Sequence, residues 1–326
     1  QKLREFVHPS GRLDGFSRTH QGVAFSSDGR WIVASSLGET WVWDAHIEGE
    51  GILAALHPQV DQFTRLGADN RTVLTAGGIG QLGASLYRNQ PKSPACQIFR
   101  HAETTAWDTG SQGIREVDLS LDGRRILTGA TENRIGEWDL ESGKRIRSYH
   151  HSGGVKQRVE YSSDDSLILT VTAKADQGGV KIWDTNSGQT LHHLTGNGAF
   201  THATFSPVRD AEGDYLIVVA PEGVRSAQLY KARTGEVVGA PLTYGGPLRY
   251  PTHPRVHRAN FSPDAKRVVT MSYSGLARVW SVPGGERLLE LKDHHTGGLV
   301  AAMFSPDGRM IVTAGDDGTA AIWDSH

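Results

Sequence analysis

The chain repeats itself, and the repeat is short. From Phe304 to Asp324 it reads FSPDGRMIVTAGDDGTAAIWD. Related copies read FSSDGRWIVASSLGETWVWD from Phe25, LSLDGRRILTGATENRIGEWD from Leu119 and FSPDAKRVVTMSYSGLARVWS from Phe261, with weaker ones from Leu66, Tyr161 and Phe205. The seven anchors Phe25, Leu66, Leu119, Tyr161, Phe205, Phe261 and Phe304 are separated by 41, 53, 42, 44, 56 and 43 residues. A period of roughly 40–45 residues without long amphipathic helical patterns restricts the chain to stacked small sheets.

Within a copy, an apolar anchor ends one strand and Ser-Pro-Asp-Gly turns the chain, with glycine free to take positive φ. A β-branched run such as Ile311-Val312-Thr313 follows, then a second turn such as Asp317-Gly318, a strand ending in Trp323-Asp324, and a turn such as Ser142-Gly143 or Thr234-Gly235 opening a fourth strand. Four short strands joined by turns predict an antiparallel sheet. One such sheet cannot bury both faces alone, so the copies stack radially. The expectation is an all-β fold, a seven-bladed β-propeller of four-stranded antiparallel blades, spanning residues 1–326 as a single domain.

Composition narrows the chemistry. The 326 residues carry a formal charge of −2, so the electrostatic footprint of a nucleic-acid binder is missing. Hydrophobic residues at 37% and charged residues at 21% are the profile of a soluble globular chain. A single cysteine, Cys96, excludes an internal disulfide framework and a multi-cysteine zinc site. No apolar run approaches the roughly 20 residues that span a bilayer. The chain opens Gln1-Lys2-Leu3-Arg4-Glu5, with neither an initiator methionine nor a signal peptide, and is expected to be a piece of a longer protein.

Trp-Asp recurs in register at Trp43-Asp44, Trp138-Asp139, Trp183-Asp184 and Trp323-Asp324; Trp280-Ser281, Tyr87-Arg88 and Tyr230-Lys231 hold the same position in diverged copies. On these motifs the chain resembles the WD40-repeat family over essentially its whole length. The style of the copies looks like that of large bacterial WD40 proteins, implying a cytoplasmic domain joined to a signalling or effector domain that would carry any catalysis. The resemblance also implies that Lys2–Val7 supplies the outer strand of the last blade and closes the ring. It implies a structural tetrad, matched in the last copy by His295, Thr313, Asp317 and Trp323. Thr128 with Trp138, and Thr270 with Trp280, keep two members each, and those blades are expected to be less rigid.

In this family, the loops leading into each first strand and those joining the second and third strands share one face, called the upper face below, which is the usual binding surface. The two long spacings matter here. One contains residues 101–113 with Trp107-Asp108, a Trp-Asp without anchor or turn, read as a surface loop. Trp107 either anchors a partner or folds onto its own blade. The other contains Val208 to Asp214, on the opposite face, and YGGPLRYPTHPR from Tyr244 to Arg255, whose Arg249, Tyr250, Arg255 and the nearby His257 give aromatic and cationic character. Ala173 to Gly178 reads as a plain solvent-facing turn. Counting back from the anchors adds Gln21, Gln62, Arg115, Gln157, Thr201 and Val300 to the rim; Tyr273 and Asp316 join it from the second turns. The partner-binding candidates are Trp107, Arg115, Arg249, Tyr250, Arg255, His257, Tyr273, Gln62 and Gln157.

Catalytic motifs are weak. Gly78, Gly80 and Gly83 have dinucleotide-fingerprint spacing but lack the strand–helix context the motif needs. Adjacent histidines, as at His150-His151, His192-His193 and His294-His295, point to opposite faces of a strand and are no chelate. Cys96 reads as a small buried apolar residue. A threonine hydroxyl tied to an indole is a poor nucleophile, so the tetrad is not catalytic. No cofactor and no metal are expected.

The leading expectation is therefore a non-catalytic protein–protein interaction, sensor or scaffold module that binds a protein or peptide, with no nucleic acid and no membrane. The alternatives are a small-ligand-binding or enzymatic propeller with its site at the central channel, and a structural or self-association module.

Overall fold

The computed structural model describes the strands between residues 2 and 99 by their backbone alone. From residue 114 onward it describes backbone and side chains, apart from residues 131–133, 151–157, 173–177, 196–199, 222, 246–254, 293–294, 296–297, 316 and 318 and the side chains at 114, 115, 130 and 134. The described residues form strands and turns without a helix, and no helix is long and apolar enough to cross a membrane.

Each sheet is four-stranded and antiparallel, and all but the last are meanders in chain order. The first holds Gly22–Phe25, Trp31–Ser36, Glu39–Asp44 and Ile52–Leu56; the second Asp61–Leu66, Thr72–Gly77, Ala84–Gln90 and Ser93–Phe99. The third holds Ile114–Leu119, Arg125–Ala130, Arg134–Asp139 and Arg145–His150; the fourth Arg158–Tyr161, Leu167–Thr172, Gly179–Asp184 and Thr190–Leu194. The fifth holds Phe200–Arg209, Tyr215–Pro221, Ser226–Lys231 and Val237–Thr243; the sixth Val256–Phe261, Arg267–Ser272, Ala277–Ser281 and Arg287–Leu291. In the last sheet Leu299–Phe304, Met310–Gly315 and Thr319–Asp324 are joined by Lys2–Val7, which runs antiparallel to Thr319–Asp324 with Lys2 opposite Trp323 and Val7 opposite Thr319. Such sheets stacked face to face are the architecture of a β-propeller.

The register explains the motif. Each aromatic of the Trp-Asp position lies opposite a β-branched residue of the second strand: Trp138 opposite Ile126, Trp183 opposite Ile168, Tyr230 opposite Ile217, Trp280 opposite Val268 and Trp323 opposite Ile311. That residue lies opposite the anchor on its other side, as Phe304 does Ile311 and Phe205 does Ile217. A one-residue slip would turn the whole apolar set to the wrong face. The core lies between sheets. Trp280, Phe261 and Val268 of the sixth sheet pack with Val218 and Leu229 of the fifth, and Phe304 and Trp323 pack with Met271 and Val279 of the sixth. Each large side chain so buried contributes roughly 1.5–3 kcal/mol before its entropy cost.

The first turns repeat one hydrogen-bond pattern. The Ser120, Ser162, Ser262 and Ser305 carbonyls accept the backbone N–H of Gly123, Asp165, Ala265 and Gly308. The same serine hydroxyls donate to Asp122, Asp164, Asp264 and Asp307 at 2.5–2.8 Å. In the fifth sheet the extension predicted at Val208 to Asp214 is the lengthened tip of a hairpin. Arg209 there pairs opposite Tyr215 and reaches Asp164 of the fourth sheet at 2.6 Å.

The innermost strands lie side by side in order, Ile114–Leu119 next to Arg158–Tyr161, then Phe200–Arg209, Val256–Phe261 and Leu299–Phe304, and this last one beside Gly22–Phe25. Each is an edge strand of its own sheet, with backbone groups that need partners. Side chains of the preceding sheet supply some of them. Val159 N donates to Glu116 Oε2 at 3.4 Å and Tyr161 N to Asp118 Oδ2 at 2.8 Å, while Asn260 Nδ2 donates to the Ala302 carbonyl at 2.7 Å.

Candidate functional site

The last sheet assembles the four residues expected to form a tetrad. Trp323 Nε1 donates to Thr313 Oγ1 at 2.8 Å, and Thr313 Oγ1 lies 2.8 Å from His295 Nε2. His295 Nδ1 faces Thr319 Oγ1 at 3.0 Å and Asp317 Oδ1 at 3.4 Å. The hydroxyl has one proton to give, and the indole already occupies one acceptor site. Thr319 Oγ1 gives its proton to Asp317 Oδ1 at 2.7 Å and so accepts from His295 Nδ1–H, which leaves Nε2 to accept from Thr313. Gly315 makes room for it: a Cβ there would stand 2.5 Å from His295 Nδ1 and 2.6 Å from Asp317 Oδ1. With Thr313 and His295 both buried, no substrate reaches the hydroxyl, and the arrangement is structural.

The indole-to-threonine bond recurs at Trp138–Thr128, Trp183–Thr170 and Trp280–Thr270, at 2.9, 2.9 and 2.8 Å. In the sixth sheet the third member is a tyrosine. Thr270 Oγ1 donates to Tyr244 Oη at 3.1 Å, and Tyr244 Oη donates in turn to the Thr270 carbonyl at 2.9 Å. The Arg278 guanidinium lies 4.5 Å from the centre of the Tyr244 ring and pairs with Glu290 at 2.9 Å. This corrects two expectations. Tyr244 is not part of an exposed loop but is buried at 1% exposure, and the sixth sheet has a third member where only two were counted. Sequence reasoning missed it because a tyrosine stands where the family pattern asks for histidine, ahead of an insertion that shifts the count.

Of the partner-binding candidates, Trp107, Gln157, Arg249 and Tyr250 lie outside the described residues, and Gln62 and Arg115 are placed by backbone only, in Asp61–Leu66 and Ile114–Leu119. The structure brings together His257 and Tyr273, with Arg255 exposed at the start of the same innermost strand. The rings of His257 and Tyr273 stack at 4.0 Å between centres and 11° between planes. His257, counted as a rim residue, is instead buried at 6% exposure, because the strand shifts register between Val256 and Arg258 and turns the ring inward. Burial pushes its pKa down to about 3, the neighbouring Arg258 adds to this, and a hydrogen bond with the Leu299 backbone opposes it. The neutral imidazole is therefore a platform, and its half-buried partner Tyr273 is the residue that reaches the surface.

The turn under Tyr273 is fixed by its own bonds. Ser272 N donates to the Leu276 carbonyl at 3.0 Å, Ser274 N donates to Ser272 Oγ at 3.1 Å, and the two serine hydroxyls lie 2.7 Å apart. A stacked aromatic on such a turn loses little freedom on binding. At this corner Arg255 is exposed and Arg258 half-buried.

Chemistry elsewhere is spoken for. Glu137, buried, accepts from Arg125 Nη1, Tyr149 Oη and Tyr161 Oη, each at 3.0 Å. Burial and the Glu137 charge hold both phenols well above their ordinary range. Gly78, Gly80 and Gly83 fall between Thr72–Gly77 and Ala84–Gln90, two strands paired with each other rather than a strand and a helix. Among the described residues no group of three or more His, Cys, Asp or Glu is arranged to hold a metal ion.

Comparison with known proteins agrees with this geometry. A family model described as "WD domain, G-beta repeat" matches residues 285–324, which end on the Trp-Asp strand of the last sheet. Over 160 residues, 49% of the chain, it is 26% identical to the DENN domain and WD repeat-containing protein SCD1 of Arabidopsis thaliana, covering 12% of that protein. It is 24% identical to Autophagy-related protein 16 of the same plant, over 57% of the chain and 36% of the relative. It is 27% identical to Eukaryotic translation initiation factor 3 subunit I of Emericella nidulans, over 52% of the chain and 49% of the relative. The chain thus spans about half or less of the length of these relatives. All are plant or fungal proteins, and the bacterial resemblance of the copies rests on sequence style alone. The repeated Trp-Asp register, the four-stranded sheets, the matched family model and the WD-repeat relative together support a WD40-repeat family for the chain.

Proposed function

We propose that the chain is a non-catalytic interaction module, a seven-bladed ring whose upper face binds a protein or peptide through the corner built by Tyr273, His257 and Arg255. The observation that carries this reading is the Tyr273–His257 stack, an aromatic side chain held on a buried neutral ring beside exposed positive charge. Aromatic and arginine side chains on a rigid scaffold are the usual energetic anchors of protein interfaces. Seven blades are supported by the ordered adjacency of the innermost strands and by the pairing of Lys2–Val7 with Thr319–Asp324. The relative named as a subunit of an initiation factor supports the same reading.

A catalytic site on the innermost strands has less support. Glu116 and Asp118 are spent on backbone N–H groups of the next sheet, and Glu160 accepts from Thr204 Oγ1 at 2.7 Å and pairs with Arg158. The test is retention of partners by the immobilised chain, compared between wild type, Tyr273→Ala with Arg255→Ala, and Leu121→Ala on the opposite face. A partner lost only with the first pair of substitutions supports the reading; a partner lost only with Leu121→Ala contradicts it.

A further inference from the structure

We propose that the outer edge of the third sheet, Arg145–His150, takes an extended acidic polypeptide segment as an added strand. In the third to sixth sheets the fourth strand is outermost, and no described strand pairs with its far edge. Such edges are templates for strand addition. What distinguishes the third is charge. Lys144 and Arg145 are exposed, Arg147 is half-buried, and Ile146, Ser148 and His150 are exposed between and beyond them. Lys181 of the fourth sheet leans across the seam, its Nζ donating to the His150 carbonyl at 3.4 Å, and it sits opposite His193 on the next strand.

Among the described residues no carboxylate pairs with Lys144, Arg145, Arg147 or Lys181. Glu137, in register opposite Arg147, is committed to Arg125 and two tyrosines, and Asp139 accepts from Ser142. Arg147 spends its donors on the Thr185 and Asn186 carbonyls, at 2.6 and 2.9 Å, which fixes its charge at the seam without neutralising it. His193 is held below its ordinary pKa chiefly by burial, with Lys181 and His192 adding to it.

The other outer strands differ. In the sixth sheet Arg287 and Lys292 both pair with Glu290, at 3.3 and 3.6 Å. The fifth, Val237–Thr243, carries no charge, and the fourth, Thr190–Leu194, carries only His192 and His193. On a chain of net charge −2, an uncompensated basic edge repels a second copy of itself and attracts an acidic strand. Arg145 lies opposite Trp138 and Arg147 opposite Glu137, with a register shift between them, so the two cations stand on opposite faces of the strand, and neighbouring acidic residues of an added strand, which also alternate faces, would meet one each.

The experiment measures binding of a short fluorescent peptide of Glu-Glu-Thr repeats, which carries carboxylates on both faces, by anisotropy. Its comparators are the Lys-Lys-Thr counterpart and the same acidic peptide N-methylated at alternate backbone positions. Lys144 and Arg145 are exposed, so the double variant Lys144→Glu, Arg145→Glu keeps its fold, as its circular dichroism and melting would verify. The acidic peptide is expected to bind, the basic and N-methylated ones not, and the double variant to weaken binding at least about tenfold, with Arg287→Glu leaving it unchanged. Equal binding of the N-methylated peptide, or an unaffected double variant, overturns the proposal. So does binding of phosphatidylserine vesicles where the peptide fails to bind.

Discussion

The phenol oxygen of Tyr244 stands 3.1 Å from the Thr270 hydroxyl, in the place that the His295 imidazole takes beside Thr313. Two chemically different groups thus complete the same indole-to-threonine bond in adjacent sheets. Tyr244→Phe removes the hydroxyl and keeps the ring, and is expected to cost about 1–2 kcal/mol in urea unfolding. Tyr244→Ala also empties the space beneath Arg278 and is expected to cost about 3–5 kcal/mol. A Phe variant as stable as wild type would mean that Thr270 needs no third member.

Asp165 and Ala265 both hold the left-handed turn position that glycine takes at Gly123 and Gly308, with φ of 58° and 55°. Asp165 is compensated. Its carboxylate accepts from Leu121 N at 3.0 Å and pairs with Arg125 at 3.2 Å, tying the fourth sheet to the third. Ala265 has no such polar tie, only its methyl packed against the core of the fifth and sixth sheets. Relief of left-handed strain, roughly 1–2 kcal/mol, exceeds the roughly 0.5–1 kcal/mol entropic penalty of glycine. Ala265→Gly is therefore expected to raise the melting temperature and Asp165→Gly to lower it, both read by calorimetry.

His257 makes stability depend on pH. Its folded pKa lies near 3, below the ordinary 6.5, so the unfolded chain takes up the proton first as pH falls. The folded state keeps this contribution above pH 6.5 and loses it progressively towards pH 3. At about pH 5 the loss is about 2 kcal/mol. In His257→Asn the gap in unfolding free energy between about pH 7.5 and about pH 5 is expected to shrink by that amount. An unchanged gap would mean that the ring protonates in the folded protein.

Gly188, at φ +70°, faces the Arg147 side chain, and a Cβ there would stand 2.6 Å from its Cδ. Gly188→Ala is expected to destabilise by about 1–3 kcal/mol through the left-handed backbone and displacement of the guanidinium from the Thr185 and Asn186 carbonyls. Combining it with Arg147→Ala tests this: the two effects are less than additive if they share that contact.

The architecture was legible because each copy carries its own register marks. An anchor, a β-branched residue and an aromatic fall opposite one another, and even Tyr230, which breaks the Trp-Asp motif, keeps its place opposite Ile217. The site was less legible. Counting back from Phe261 reached His257 but could not reveal the register shift between Val256 and Arg258 that buries it. Tyr273, taken from a separate turn, is its stacking partner, a contact across strands that no local pattern encodes. The basic edge at 144–147 was written plainly in the sequence, yet whether its charges are neutralised depends on neighbours brought in by folding.

The most direct measurement is hydrogen–deuterium exchange of the chain with and without a retained protein partner. The account predicts protection on binding at residues 255–258 and 272–276, with the turns at 120–124 and 163–166 unchanged. Protection confined to those turns, with none around Tyr273, would contradict it.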